Sequence, residues 1–279
     1  MGDGASKDED AGTAAQGGVR GGPPVLVLFS EAGRRGTVIG SDHLGRGAGG
    51  TVPLVLGVFC VLFWVHPAVS AWLWLWGGGG AVLGAGVAPR GAPADRDLRG
   101  ALSVAMTCGI ALKNCVNFWR NVGDKITIGV DSALIIHAFV LAVHGSAALV
   151  AWAVPEPPAW VPWTALGVYL VFASLEVAAD EQLGAFCRAK RVPGYTGPRV
   201  MTSGLWSLSR HPNFAANTFY YAWGVGLLSG TWYVPLAWFL VFVTFYHLQA
   251  IPGHELHMAA TYGDEWDAYV KRTPRYILL

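Results

Sequence analysis

The chain has 279 residues, 53% of them hydrophobic and only 13% charged, about half the charged share of a soluble globular domain, so it cannot cover itself with polar surface. A formal net charge of +1 argues against nucleic acid as a partner, because neutralising phosphates needs a concentrated basic surface. Cys60, Cys108, Cys115 and Cys187 are scattered without a CxxC pair and read as free thiols.

Residues 1–50 are rich in Gly and Ala, mixed in charge and poor in aromatics, a composition that cannot offset the entropy of ordering and predicts a disordered tail. Asp3, Asp8, Glu9 and Asp10 argue against a transit peptide, and there is no early apolar core of a secretory signal. Thr51 to Pro89 is apolar apart from His66 and predicts one long or two short membrane spans, with Pro67 and Gly77 to Gly80 as the places to break. Trp72, Trp74 and Trp76, three of the chain's 13 tryptophans, are expected at a membrane interface, where an apolar ring with one donor is at home. Leu98 to Phe118 is a second candidate span whose Lys113, Asn114 and Asn117 suit a face lining the protein interior.

Val130 to Val154 and Ala159 to Ala179 read as clear spans, separated by the proline-rich stretch Pro155 to Pro158. The next connection carries Arg188, Lys190, Arg191, Arg199 and Arg210, and the C-terminal tail carries Lys271, Arg272 and Arg275. The positive-inside rule puts both in the cytosol, so the hairpin Phe214 to Leu228 and Trp232 to Ile251 turns at Ser229-Gly230 on the far side. Arg90, Arg96, Arg99, Arg120 and Lys125 flank Leu98 to Phe118 on both sides, which leaves the count at five to seven spans. The expected fold class is an all-α, polytopic transmembrane helical bundle with a disordered N-terminal tail and a cytosolic C-terminus, in the endoplasmic reticulum. No repeat, GxGxxG after a strand or P-loop is present, which gives a soluble dinucleotide fold no support.

Titratable residues return at high density from Glu176 to Tyr276. Glu176 and Asp180 are four apart and share a helix face; they either face a polar cavity or a partner, or mark a solvated helix end. In Ser209-Arg210-His211-Pro212-Asn213-Phe214, Pro212 fits the first turn of a helix and aims Arg210, His211 and Asn213 at its N-terminus, where an anion is favoured. The spacing of His254, Glu255 and His257 is HExH, not the HExxH that puts two imidazoles on one helical turn, so no metal site is expected. His137 and His144 read as interior polar contacts.

Together these clusters resemble the C-terminal domain of the steroid 5-alpha-reductase superfamily, especially relatives that read E-x-x-x-D-x-Q and then G-L-W-x-x-S-R-H-P-N-Y. The resemblance runs from about Leu175 to the C-terminus. It implies NADPH as cofactor, a C=C bond of a lipophilic sterol or polyprenoid as substrate, N-terminal helices over 51–174 as the substrate side, and a cofactor-binding membrane domain over 175–279. It also implies cofactor contacts at Glu176 and Asp180, phosphate contacts among Arg188, Lys190 and Arg191, a core motif at Arg210, His211, Asn213 and Phe214, and a closing segment at His257, Tyr262 and Tyr269. Ala216 and Asn217 depart from the family's Gly-Glu, and no catalytic acid is assigned; Lys113, Asn114, Asn117, Arg120 and Asp131 are the polar candidates.

The same stretch is similar to isoprenylcysteine carboxyl methyltransferases and phospholipid methyltransferases, through Glu255, Tyr262-Gly263-Asp264-Glu265-Trp266, Tyr269 and Arg272-Thr273-Pro274. That reading implies S-adenosylmethionine held by His211 and Glu255. A third reading is a scaffold or subunit of a membrane complex that keeps the fold without the reaction.

Overall fold

A computed structural model describes residues 51–75, 93–121 and 130–276. The expected tail, the Gly77 to Gly80 run, Trp76, Arg90 and Lys125 lie outside the described residues. The described elements are helical throughout, with no strand among them: α1 (Thr51–Leu75), α2 (Pro93–Asn121), α3 (Val130–Ala153), α4 (Trp160–Ala189), α5 (Pro212–Phe219), α6 (Tyr233–Phe245), α7 (Ile251–Tyr262) and α8 (Asp264–Arg272). α5 runs on through a π turn, Tyr220–Val225, and a 3-10 turn, Gly226–Ser229, while a second π turn, Tyr246–Ala250, joins α6 to α7. Pro252 lacks the N–H that would bond the carbonyl of Leu248, and a widened turn is a common way for a helix to absorb that loss.

α1 continues through Pro67, where a break was a possibility on sequence grounds. Apolar helices tolerate an internal proline when neighbouring helices cover the freed carbonyl, and Pro67 is buried. α1, α2 and α3 pack around Phe63, Met106, Ile110, Val140, Val143 and Ala147. α4 lies against α2 and α5, where small residues let backbones approach closely. Gly224 faces the Tyr169 main chain so tightly that a Cβ there would meet Tyr169 Cα at 3.0 Å. The Tyr169 hydroxyl donates to the Met106 carbonyl at 3.0 Å, and Gly109 leaves it room, since a Cβ there would lie 2.6 Å from that oxygen.

Two helices among the described residues are long and apolar enough to cross a membrane, Trp160–Ala189 and Tyr233–Tyr262. Only 28% and 22% of their apolar windows are buried, whereas the core helix of a soluble domain would be mostly enclosed. Shorter apolar helices cover Val61–Trp74 and His137–Ala153. The α3–α4 and α5–α6 connections meet, since a Cβ on Gly230 would lie 3.2 Å from Pro157. Around that end Trp160 (64%), Trp163 (57%) and Trp232 (71%) are exposed, as in an interfacial aromatic belt.

Three expectations shift. Trp74 is buried beneath the Arg99 guanidinium, 5.8 Å from its ring, while Trp72 is exposed, so these tryptophans do not act as one interfacial cluster. Arg99 is fully buried and donates to the Leu228 carbonyl at 3.2 Å, so it belongs to the packed helix and is not a flanking loop charge. α4 runs to Ala189, ten residues beyond the expected span, because its acidic stretch packs on α5 and the following turn.

Candidate functional site

The polar residues gather at the end of the bundle that carries the 190–211 connection and the C-terminal segment. The positions of Glu176 and Asp180 on one face of α4 turn both toward α5, where each meets a polar partner instead of marking a solvated helix end. Asn213 Nδ2 donates to Asp180 Oδ1 at 3.2 Å, and one turn deeper Asn217 Nδ2 donates to Glu176 Oε1 at 3.4 Å. Lys113 of α2 reaches into this layer, its Nζ 2.6 Å from Glu176 Oε2. Asn217 ties the layer together by donating to the Tyr220 hydroxyl at 2.9 Å and accepting from Tyr246 at 2.6 Å. Glu176 is buried, and a carboxylate there is sustainable because a cation and an amide meet it.

The second cluster forms around Glu255 on α7. Arg210 Nε donates to Glu255 Oε1 at 2.8 Å, and Arg275 Nε donates to Oε2 at 2.9 Å. His211 Nε2 lies 3.3 Å from Oε1. Arg210 also donates through NH1 to the carbonyls of Thr273 at 2.6 Å and Val270 at 3.3 Å, so it both fills the cluster and staples the C-terminal segment. Pro212 starts α5 with His211 as its N-cap. The His211 ring stacks at 5.6 Å on Phe214, which stacks at 4.7 Å on Tyr246. This row of rings links the two clusters. Burial of His211 depresses its pKa; Glu255 pulls the other way and Arg210 and Arg275 add to the depression, so the imidazole stays below its ordinary range.

The connection before α5 is held by main-chain contacts. Gln182 Oε1 accepts from Leu205 N at 2.9 Å beside Gly204, whose φ is +62°. Trp206 Nε1 donates to the Ala179 carbonyl at 3.0 Å. Tyr269 is buried and its hydroxyl donates to the Trp206 carbonyl at 2.5 Å, with the Ser209 carbonyl at 3.3 Å. Burial raises the pKa of that phenol. Tyr276 meets Thr218 and donates to the Phe214 carbonyl at 3.0 Å.

The remaining residues form a rim. Arg188 and Arg191 are exposed at the end of α4, and His257 is exposed on α7. Tyr262 lies between two cations, accepting from Lys190 at 3.2 Å with the Arg199 guanidinium 5.2 Å from its ring centroid. Glu265 caps this corner by accepting from Arg199 N at 2.7 Å and Val200 N at 2.9 Å. The structure therefore brings Glu176, Asp180, Asn213, Phe214, Arg210 and His211 together, sets Tyr262 against Lys190 and Arg199, leaves Arg188, Arg191 and His257 exposed, and makes Tyr269 a support for the turn before Arg210.

Sequence reasoning did not select Asn217, Tyr220, Tyr246 or Arg275 for the site, and named Lys113 only among the polar candidates for the acid. Lys113 was visible as a cation inside an apolar run, a placement that usually means a partner. Nothing in the local pattern marks Arg275, which acts only because the chain turns back over α5.

Residues 122–273 match the family described as "Protein of unknown function (DUF1295)", more than half of the chain. The chain belongs to that family. DUF1295 is associated with steroid 5-alpha-reductase-like proteins, which agrees with the resemblance read from the motifs. This DUF1295 chain is also similar to the Delta(14)-sterol reductase of Candida albicans, with 25% identity over 156 residues, 43% of this chain and 33% of that protein. It thus spans about a third of the length of the curated relative it matches.

Proposed function

We propose that this protein is a membrane-embedded, NADPH-dependent reductase of a C=C bond in a lipophilic substrate of the sterol or polyprenoid class. The observation that carries the reading is the convergence of Arg210, His211 and Arg275 on Glu255 beside the Asp180–Asn213 pair. Arg210 and Arg275 exceed Glu255 by one charge, which Asp180 offsets, so the cationic excess lies with Arg188, Lys190, Arg191 and Arg199 against Glu181 and Glu265. An anionic dinucleotide suits that balance, and the similarity to a Delta(14)-sterol reductase supports a reductase acting on a lipophile.

The residues fit the cofactor. Arg275 is 42% exposed and can turn one face of its guanidinium to a phosphate while Glu255 holds the other. Arg188 and Arg191, exposed at the end of α4, are the residues this reading assigns to outer phosphate charge. Asp180 and Asn213 present paired acceptor and donor groups suited to sugar hydroxyls or an amide, with Glu176 one turn deeper. Phe214 offers an aromatic face between His211 and Tyr246. His257 and Tyr262 border the same rim, and Tyr269 fixes the turn that aims Arg210. When bound, NADPH would supply a hydride to the electrophilic carbon of the bond while an acid gives a proton to the other; the chain's own residues orient the cofactor and exclude water.

In the same reading the chain crosses the bilayer five to seven times, residues 51–174 form the substrate side and 175–279 the cofactor side. The clustered cations face the cytosol, with the endoplasmic reticulum as the expected membrane. The exposed Trp160, Trp163 and Trp232 at the opposite end suit the other interface, and the Lys/Arg bias of the connections supports the orientation. The test is NADPH oxidation by the purified protein in lipid nanodiscs with a Δ14-unsaturated sterol and a panel of other unsaturated sterols and polyprenols. Substrate-dependent loss of absorbance with formation of the saturated product supports the assignment; methyl transfer from S-adenosylmethionine would replace it.

A further inference from the structure

A second set of buried polar groups lies away from the cations, along the seam where α1, α2 and α3 meet. His66 and His137 contact through their ring nitrogens at 3.0 Å. Farther along, Ser70 Oγ and Ser103 Oγ are 2.9 Å apart, and Ser103 Oγ is 2.9 Å from His144 Nδ1. His66, Ser70, Ser103, His137 and His144 are each at most 6% exposed. The walls are apolar, formed by Phe63, Met106, Ile110, Val140 and Val143.

The seam is not closed on itself. His66 Nδ1, His144 Nε2 and Trp74 Nε1 are buried and meet no hydrogen-bonding partner among the described residues. Leaving one such group unmet costs about 1–3 kcal/mol, and native interiors rarely leave several along one row. These atoms call for a partner that can both donate and accept. Its neighbours are imidazoles, hydroxyls and an indole, with no carboxylate in the row; the Arg99 guanidinium, 5.8 Å from the Trp74 ring, donates to the Leu228 carbonyl, which leaves the His66, Ser103 and His144 groups to meet a neutral partner. A neutral hydroxyl on an apolar body matches both the polar row and its walls.

We propose that the α1–α3 seam is the recognition site for the hydroxyl of a neutral, hydroxyl-bearing lipophile of the sterol class, met by the His66, Ser103 and His144 row. The inference rests on the reductase reading and assigns its substrate side: one end of the ligand is anchored by a hydroxyl contact in the N-terminal helices, which leaves the hydrocarbon free to extend toward α4 and α5. Affinity then depends on the hydroxyl, independently of the cation cluster.

The experiment uses the full chain in phosphatidylcholine nanodiscs, with cholesterol and its 3-deoxy hydrocarbon counterpart as probes. Affinity is read by competition against a photoreactive sterol, and NADPH affinity is read separately. The hydroxysterol should bind at least about tenfold tighter than the hydrocarbon, about 1.4 kcal/mol. Ser103→Ala and His144→Phe should bring that ratio close to one while leaving NADPH affinity unchanged. Ser70→Ala, a milder change in the same row, covers the case in which His144→Phe fails to fold. Equal affinities in the wild type, no sterol binding, or a ratio unmoved in Ser103→Ala and Ser70→Ala would overturn the proposal, the row then holding ordered water alone. Loss of NADPH binding in the wild type would instead remove the cofactor reading and leave the sterol result standing.

Discussion

Removing the Glu255 carboxylate is the most informative single perturbation. Its partners differ in environment: the Arg210 side chain is 8% exposed, that of Arg275 is 42% exposed, and Glu255 itself is 11% exposed. Taking one member from a buried pair costs about 3–5 kcal/mol, because the other charge stays buried. A solvent-exposed arm contributes no more than about 1 kcal/mol. Arg210 keeps its two carbonyl acceptors in a Glu255→Ala variant, which holds the loss near the lower figure, about 3 kcal/mol. At about 2–4 °C per kcal/mol for a domain of this size, the melting midpoint in detergent should fall by about 6–12 °C. Arg275→Ala should cost less than about 1 kcal/mol, and Glu255→Gln should fall between, since it keeps shape and an acceptor but not charge. The measurement is thermal or denaturant unfolding of the three variants beside the wild type. A Glu255→Ala midpoint within the range of Arg275→Ala would refute the argument that Glu255 acts through buried Arg210.

Other expectations follow from the same geometry. His211 has a folded-state pKa below the ordinary 6.5, so in the acid range below 6.5 the unfolded chain binds a proton that the folded chain does not. Its contribution is therefore present above pH 6.5 and lost as pH falls toward the folded value; unfolding midpoints taken across this range should show a slope that His211→Gln reduces. Tyr269→Phe deprives the Trp206 and Ser209 carbonyls of their shared donor and should cost about 1–3 kcal/mol in the same unfolding assay, with no change if the hydroxyl is dispensable. Gly224→Ala drives a Cβ to 3.0 Å from the Tyr169 Cα, and overpacking of this kind costs about 1–3 kcal/mol, readable as a lower midpoint. Arg188→Ala and Arg191→Ala remove exposed side chains; they should leave stability unchanged while weakening NADPH binding and flattening its salt dependence.

The helices were legible because long apolar runs leave few alternatives, and the turn at Ser229-Gly230 was legible because Gly230 supplies a positive φ of 80°. The ends of α4 and of the α6–α7 helix were less so. Both run past their apolar segments into polar sequence, and packing against α5 and the C-terminal segment, not hydrophobicity, carries them onward. Within the site, the i, i+4 spacing of Glu176 and Asp180 and the position of Pro212 at the start of α5 were readable from local rules. The partnership of Lys113 with Glu176 spans two distant helices, and that of Arg275 with Glu255 depends on how the last turn folds back. Neither leaves a local signature. The His66–His137 and Ser70–Ser103–His144 contacts sit between those cases: the histidines stood out as polar in apolar runs, Ser70 and Ser103 did not, and the pairing required the helix register.

In the proposed reading the cation cluster near Arg210 and Arg275 grips an anionic dinucleotide. The most direct measurement is a thermal-shift titration of the wild type and Arg275→Ala with NADPH and, separately, with S-adenosylmethionine. Selective stabilisation of the wild type by NADPH, weakened in Arg275→Ala, is the predicted result; stabilisation by S-adenosylmethionine alone, or by neither ligand, would contradict it.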